Sequence, residues 1–60
     1  MATPYVCIAQ TQQGPVRFRV RAVGPVQARR IAERYAYLAL GVANPYRNVM
    51  VVVARHSDGS

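Results

Sequence analysis

The stretch that decides the fold reads VRFRVRAV at residues 16–23. Apolar side chains alternate in it with Arg17, Arg19 and Arg21, and alternation with a period of two is the pattern of a strand buried on one face. The sequence therefore predicts a strand that packs one face on a core and presents a straight row of arginines on the other.

Residues 3–12 predict the preceding strand, because they are rich in β-branched and aromatic residues and Pro4 is tolerated where a strand begins. Residues 13–15, QGP, have the composition of a turn. Together the two strands form a hairpin, in which we expect Thr11 to face Arg17. The pairs that follow are Ile8 with Val20 and Val6 with Ala22, with Cys7 and Ala9 beside Arg21 and Arg19.

A helix is predicted to begin at Pro25, since proline is tolerated at the first helical position, and to stop at Gly41, since glycine favours helix ends. From Ala28 to Val42 apolar residues recur at helical spacing, with Leu38 on the flank of the stripe. We expect this stripe to pack on the sheet. Its members are Ala28, Ile31, Ala32, Tyr35, Ala39 and Val42.

Residues 44–48, NPYRN, predict a loop, and residues 49–55 predict a third strand. Its unbroken apolar run indicates burial on both faces or a central position, and a right-handed crossover places it parallel to the second strand. The sequence thus predicts an α+β fold of order β-β-α-β, a three-stranded sheet with one helix packed on one face. We expect residues 1–60 to form one small domain and residues 57–60 to be a disordered tail.

The composition excludes most enzyme classes. The chain has 60 residues and a formal net charge of +6, with two acids, one histidine and one cysteine. Glu33 and Asp58 are poorly placed as an acid and base pair, and one cysteine with one histidine does not complete a zinc site. A nucleophilic Cys7 requires a pKa lowered by neighbouring arginines, and the alternative is a small strand residue. We expect a binding protein without catalytic residues, metal, cofactor or small-molecule substrate.

The sequence also favours a cytoplasmic location. Cys7 has no partner for a disulfide within the chain, whereas small secreted domains usually depend on disulfides. The first residues lack the basic segment of a signal peptide, and no apolar run approaches the ~20 residues of a membrane-spanning helix. We therefore expect neither export nor membrane binding.

Arg17, Arg19 and Arg21 are the main candidate binding residues. Alternate residues of a strand stand about 6.7 Å apart, and guanidinium groups bind phosphate oxygens bidentately. Because both acids lie on other elements, three like charges in a row repel one another unless an external anion compensates them. The row predicts a site for nucleic acid or a nucleoprotein complex, and the alternative is a solvated strand face. Only Tyr5 is placed to add a stacking aromatic there.

A second candidate contact surface lies on the outer face of the predicted helix, where Arg30 and Arg34 flank Tyr37 at helical spacing. This surface is opposite the arginine row, so one straight duplex cannot contact both. It predicts either a protein contact or a solvated helix face.

The third strand predicts self-association. A single helix covers only one of its faces, so the other apolar face needs a different cover. We expect a homodimer, or another protein partner, to supply it. The residues concerned are Val49, Val51, Val52 and Val53.

Residues 20–32 carry one resemblance. The strand end Val20-Arg21-Ala22, a short turn and the helix start at residues 27–32, QARRIA, resemble a pattern in many small phage and mobile-element proteins. Among these are anti-CRISPR inhibitors that pair one helix with a small sheet. The resemblance implies a protein in the bacterial host cell that binds a defence nucleoprotein complex and blocks its access to DNA. It assigns no individual site residue.

Overall fold

The chain folds in the order strand, strand, helix, short helix, strand. The computed structural model describes residues 2–52. It consists of β1 (Thr3–Thr11), β2 (Gly14–Ala22), α1 (Pro25–Ala39), α2 (Pro45–Asn48) and β3 (Val49–Val52). The predicted α+β fold is confirmed, because the three strands form one sheet and α1 packs on it in contact with every strand.

The β1–β2 hairpin closes more tightly than the sequence predicted. Its turn is Gln12–Gln13, and Gly14, predicted in the turn, pairs with Thr11 as the first residue of β2. The φ of Gly14 is 111°, a conformation that favours glycine. The Thr11 hydroxyl donates to the Gly14 carbonyl oxygen at 2.7 Å and accepts from the Gln13 N–H at 3.1 Å. These bonds and the glycine conformation hold the two-residue turn.

The predicted hairpin register was therefore wrong. Ile8, rather than Thr11, lies opposite Arg17, and Cys7 lies opposite Phe18. An odd shift in register moves the side chains of one strand to the other face of the sheet. Cys7 and Ala9 are consequently fully buried beneath the helix, while Val6 and Ile8 share the opposite face with the arginines.

The strand order is β2-β1-β3, with β3 antiparallel to β1. β3 thus runs in the same direction as β2, as the crossover predicted, but β1 lies between them. The expectation that β3 is central or buried on both faces was wrong for its described part, because Met50 is 62% exposed. Residues 53–55 of the predicted strand, and the predicted tail at residues 57–60, lie outside the described residues.

Helix α1 begins at Pro25, as predicted, and ends at Ala39 just before the predicted stop. The N–H groups of Leu40 and Val42 both donate to the Ala36 carbonyl oxygen, at 3.1 and 3.0 Å. Gly41, between them, has a φ of 70°, which is the left-handed conformation common after a helix end. The segment predicted as a loop after it contains the short helix α2, which begins at Pro45.

The face of α1 that packs on the sheet is narrower than predicted. Three alanines spaced four residues apart, Ala28, Ala32 and Ala36, are fully buried. Ile31 and Tyr35, predicted in the buried stripe, are 39% and 44% exposed, and Ala39 is exposed as well. The small side chains of this alanine line, Ala28, Ala32 and Ala36, let the helix lie close to the sheet. The larger residues beside the line, Ile31 and Tyr35, lie above the β2 side of the core. Val42 is buried as predicted.

Candidate nucleic-acid interface

Strand β2 positions Arg17, Arg19 and Arg21 on the face of the sheet that α1 leaves open. Phe18 and Val20, the residues between them, pack toward the core under the helix. All three arginines are exposed, and alternate strand residues stand about 6.7 Å apart. Because β2 is at the edge of the sheet, the arginine row follows the outer border of the open face.

The arginine row has no acidic partner among residues 2–52. The salt bridge that the structure shows lies on the helix, where Arg29 Nε donates to Glu33 Oε2 at 3.0 Å. Arg29 also donates to the Tyr46 carbonyl oxygen at 3.4 Å, and its guanidinium lies 5.8 Å from the centre of the Tyr46 ring. Within the described part of the chain, the positive charge of the row is therefore uncompensated.

An aliphatic surface borders the row. Across the sheet Arg19 is level with Val6 and Val52, and Arg17 is level with Ile8 and Met50. We call these four apolar residues, Val6, Ile8, Met50 and Val52, the aliphatic strip. Met50 and Val52 are its most exposed members, so the open face combines a basic edge with an apolar centre.

Tyr5 does not share this face. The observed register pairs Tyr5 with Val20, which places its ring on the helix side of the sheet. The expectation that it could stack beside the arginines was wrong, because that expectation depended on the predicted register. The described residues place no aromatic side chain on the open face, so the face offers charge and aliphatic contact rather than stacking platforms.

Arg47 is a basic residue near the site that the sequence analysis did not single out. It is exposed on α2 and lines a shallow depression together with Ile8, Gln10 and Met50. It therefore lies at one end of the aliphatic strip. Its position two residues before β3 is the signal that would have found it, since residues flanking a strand lie at the end of the sheet.

The second candidate surface lies on the far side of the helix from the sheet. Arg30, Arg34 and Tyr37 are all exposed, and they project away from the buried alanine line of α1. The structure therefore keeps this surface separate from the arginine row.

The four residues predicted as a dimer or partner strand do not share one surface. Val49 is buried and Val51 is half-buried, both on the helix side of the sheet. Val52 is 40% exposed on the open face, and Val53 lies outside the described residues. Of the described three, Val52 alone is available as part of the aliphatic strip.

Cys7 is fully buried at the centre of the core. Burial raises the pKa of its thiol, since the thiolate loses hydration there. Cys7 lies opposite Phe18 rather than beside two arginines, so no neighbouring charge lowers its pKa. The structure therefore does not meet the condition for a nucleophilic thiol. The buried side chain acts as a small apolar core residue.

Three further findings concern metal binding, membrane spans and similarity to known proteins. Residues 2–52 contain no group of three or more histidine, cysteine or acidic side chains arranged to hold a metal ion. No helix in that range is long and apolar enough to cross a membrane. No protein-family model, curated protein or solved structure matches the chain. The function is therefore inferred from the geometry of the chain itself.

Proposed function

We propose that the protein is a small basic binding protein that engages nucleic acid, free or within a nucleoprotein complex, through Arg17, Arg19 and Arg21. The observation that carries the proposal is the row of exposed guanidiniums on one strand, which has no acidic partner among residues 2–52. The strand fixes the spacing of the three backbone positions before binding, so only the arginine side chains have to be ordered when an anionic polymer arrives.

The spacing suits a phosphate backbone. Each strand of duplex DNA carries one charge per ~3.4 Å of helix axis, and the arginine spacing of about 6.7 Å is close to twice that rise. A guanidinium group can donate two parallel hydrogen bonds to phosphate oxygens. Three such groups in line therefore fit a polymer with regularly spaced phosphates better than a single small anion.

The surroundings of the row favour backbone contact over base recognition. Single-strand binders stack bases on aromatic side chains, and the open face offers none within the described residues. Phosphate contacts position a protein on nucleic acid without reading its sequence. We therefore infer duplex binding with little preference among sequences.

Titration of a labelled duplex and a labelled single strand of equal length tests the proposal. If each arginine neutralises one phosphate, the slope of log affinity against log salt is about −0.9 per contact, or roughly −3 for the row. Replacing Arg17 and Arg19 with glutamine should weaken duplex binding and make the slope shallower by about two units. The matched pair Arg30→Gln and Arg34→Gln on the helix should leave binding and slope unchanged. Absence of binding at low salt, or equal losses in both variants, would overturn the proposal.

A second candidate function follows from the aliphatic strip. Exposed Met50 and Val52 form the kind of apolar surface that protein partners cover. The resemblance of residues 20–32 to anti-CRISPR proteins would make that partner a bacterial defence complex. Affinity capture from bacterial lysate, with and without nuclease, separates the two functions. Loss of the captured material after nuclease supports nucleic-acid binding, and a stoichiometric protein that persists supports the inhibitor.

A further inference from the structure

Within residues 2–52, the outer edge of β2 carries backbone N–H and C=O groups that no neighbouring strand pairs. In an antiparallel ladder, hydrogen-bonded and non-hydrogen-bonded residue pairs alternate. Pro15 has no N–H, so the pair Gln10–Pro15 cannot be a hydrogen-bonded one. The hydrogen-bonded pairs are therefore those of the even-numbered residues of β2. The N–H and C=O groups of Arg17, Arg19 and Arg21 consequently point away from β1, toward the free edge.

These groups have no other partner within residues 2–52. Neither the turn and cap hydrogen bonds nor the side-chain hydrogen bonds of the described chain involve them. The edge therefore offers three pairs of backbone N–H and C=O groups, one pair each at Arg17, Arg19 and Arg21. An extended segment can add to them as a further strand.

The helix side of the same edge is apolar. Phe18 contacts Tyr35 with ring centroids 4.8 Å apart, which places this flank of α1 above β2. Tyr35 lines a shallow groove with Ile31, Leu38 and Ala39, and Arg34 lies at its border, so that most of the lining is apolar; Leu38 is 68% exposed. A strand added to β2 would therefore lie with one set of its side chains beneath this helix flank.

We propose that β2 accepts an antiparallel strand from a protein partner in which acidic residues alternate with apolar ones. Residues directly opposite each other in a sheet share a face, so the partner residues opposite Arg17, Arg19 and Arg21 lie beside the guanidiniums. Acidic residues there compensate the row. The intervening residues face the apolar helix flank, which selects apolar side chains.

A second copy of the chain does not fit this edge. Pairing β2 with another β2 would place arginines beside arginines, and like charges directly opposite one another destabilise a sheet. The same repulsion disfavours basic segments, and a neutral segment would leave the arginine charges uncompensated. The arginines therefore favour an acidic partner over both. The inference goes beyond the proposed function, because it uses backbone groups and a helix flank that a phosphate backbone does not need. Both partners would compete for the same guanidiniums.

A capped heptapeptide of alternating valine and glutamate, beginning and ending with valine, is the probe. Titrated into isotope-labelled protein, it should shift the amide resonances of Arg17, Arg19 and Arg21 and slow their hydrogen exchange. Methyl resonances of Ile31 and Leu38 should shift with them. The same peptide with lysine in place of glutamate should not bind.

Backbone methylation of the peptide distinguishes strand addition from charge attraction. In the proposed alignment the glutamate N–H groups point toward β2 and the valine N–H groups point away. Methylating the glutamate nitrogens should weaken binding by about tenfold or more, while methylating the inner valine nitrogens should change it by less than about twofold. Equal weakening by both patterns would overturn the proposal.

Protein variants provide the second readout. Leu38→Gln on the β2 side of α1 should weaken peptide binding, and Val26→Gln, an equally exposed position near the β3 side, should not. Equal effects of the two variants, or resonance shifts confined to the edge of β3, would contradict the proposed site. Duplex binding without peptide binding would overturn the strand proposal alone and leave the proposed function standing.

Discussion

Phe18 on β2 and Tyr35 on α1 contact each other with ring centroids 4.8 Å apart and ring planes inclined by 46°. Tilted aromatic pairs at such distances are favourable beyond the area they bury. The contact lies on the β2 side of α1, next to the alanine line that is buried against the sheet. Ile31 and Leu38 lie beside Tyr35 on this flank.

A double-mutant cycle on Phe18→Leu and Tyr35→Leu should give a coupling energy of about 0.5–1.5 kcal/mol. Each single variant should lower the free energy of unfolding, measured by urea denaturation, and the double variant should lower it by less than the sum. Strict additivity would show that the rings do not stabilise the helix position.

The close approach of α1 to the sheet depends on small side chains. Ala32→Leu should lower the free energy of unfolding by about 1–3 kcal/mol, because Ala32 is fully buried and the added atoms must displace the helix or the sheet. Ala39→Leu, at an exposed position of the same helix, is the matched control and should change stability by less than about 0.5 kcal/mol. Similar stabilities for the two variants would contradict the observed packing.

The buried thiol predicts a stability change at alkaline pH. Burial raises the pKa of Cys7 above its ordinary value of 9.0, so the folded chain holds this proton to higher pH than the unfolded chain does. The protonated thiol makes its full contribution to the free energy of unfolding below pH 9.0. That contribution is lost as the pH rises through the folded-state pKa. The stability of the native chain should therefore fall relative to that of Cys7→Ala above about pH 9. A constant difference between the two across the alkaline range would exclude this role of the thiol.

The homodimer expected from the sequence remains a prediction. The structure identifies Val52 as the exposed position at which a substitution tests it. Sedimentation at micromolar concentration should give twice the chain mass of 6.6 kDa. Val52→Lys places a charge on the aliphatic strip and should yield a folded monomer, since this side chain points away from the helix core. A native chain that is monomeric at hundreds of micromolar would rule the dimer out.

The sequence was sufficient to predict which face of β2 carries the arginine row, but not which residues of β1 lie beside it. Alternation within one strand puts Arg17, Arg19 and Arg21 on a common face whatever that strand pairs with. The face of the neighbouring strand depends on the number of residues in the turn. Pairing of Gly14 with Thr11, rather than inclusion of Gly14 in the turn, changed which residues of β1 lie beside the row.

The ends of the helix were also readable from sequence, whereas its buried face was not. Pro25 and Gly41 mark the ends through backbone chemistry that is local to each residue. The predicted buried face, which contains Ile31, and the observed one, the alanine line ending at Ala36, differ by a small rotation of the helix about its axis. Only packing against the sheet decides between the two rotations. The spacing of alanines at every fourth position was the available signal, and the larger apolar residues obscured it.

The salt dependence of duplex binding tests the role of the arginine row most directly. Arg19→Ala removes the central guanidinium, and Arg30→Ala removes an exposed arginine from the opposite side of the molecule. The account predicts that Arg19→Ala makes the slope of log affinity against log salt shallower by about one unit for every sequence tested, while Arg30→Ala leaves it unchanged. Neither change should alter stability by more than about 0.5 kcal/mol. Equal slopes for the native chain and Arg19→Ala would contradict the account.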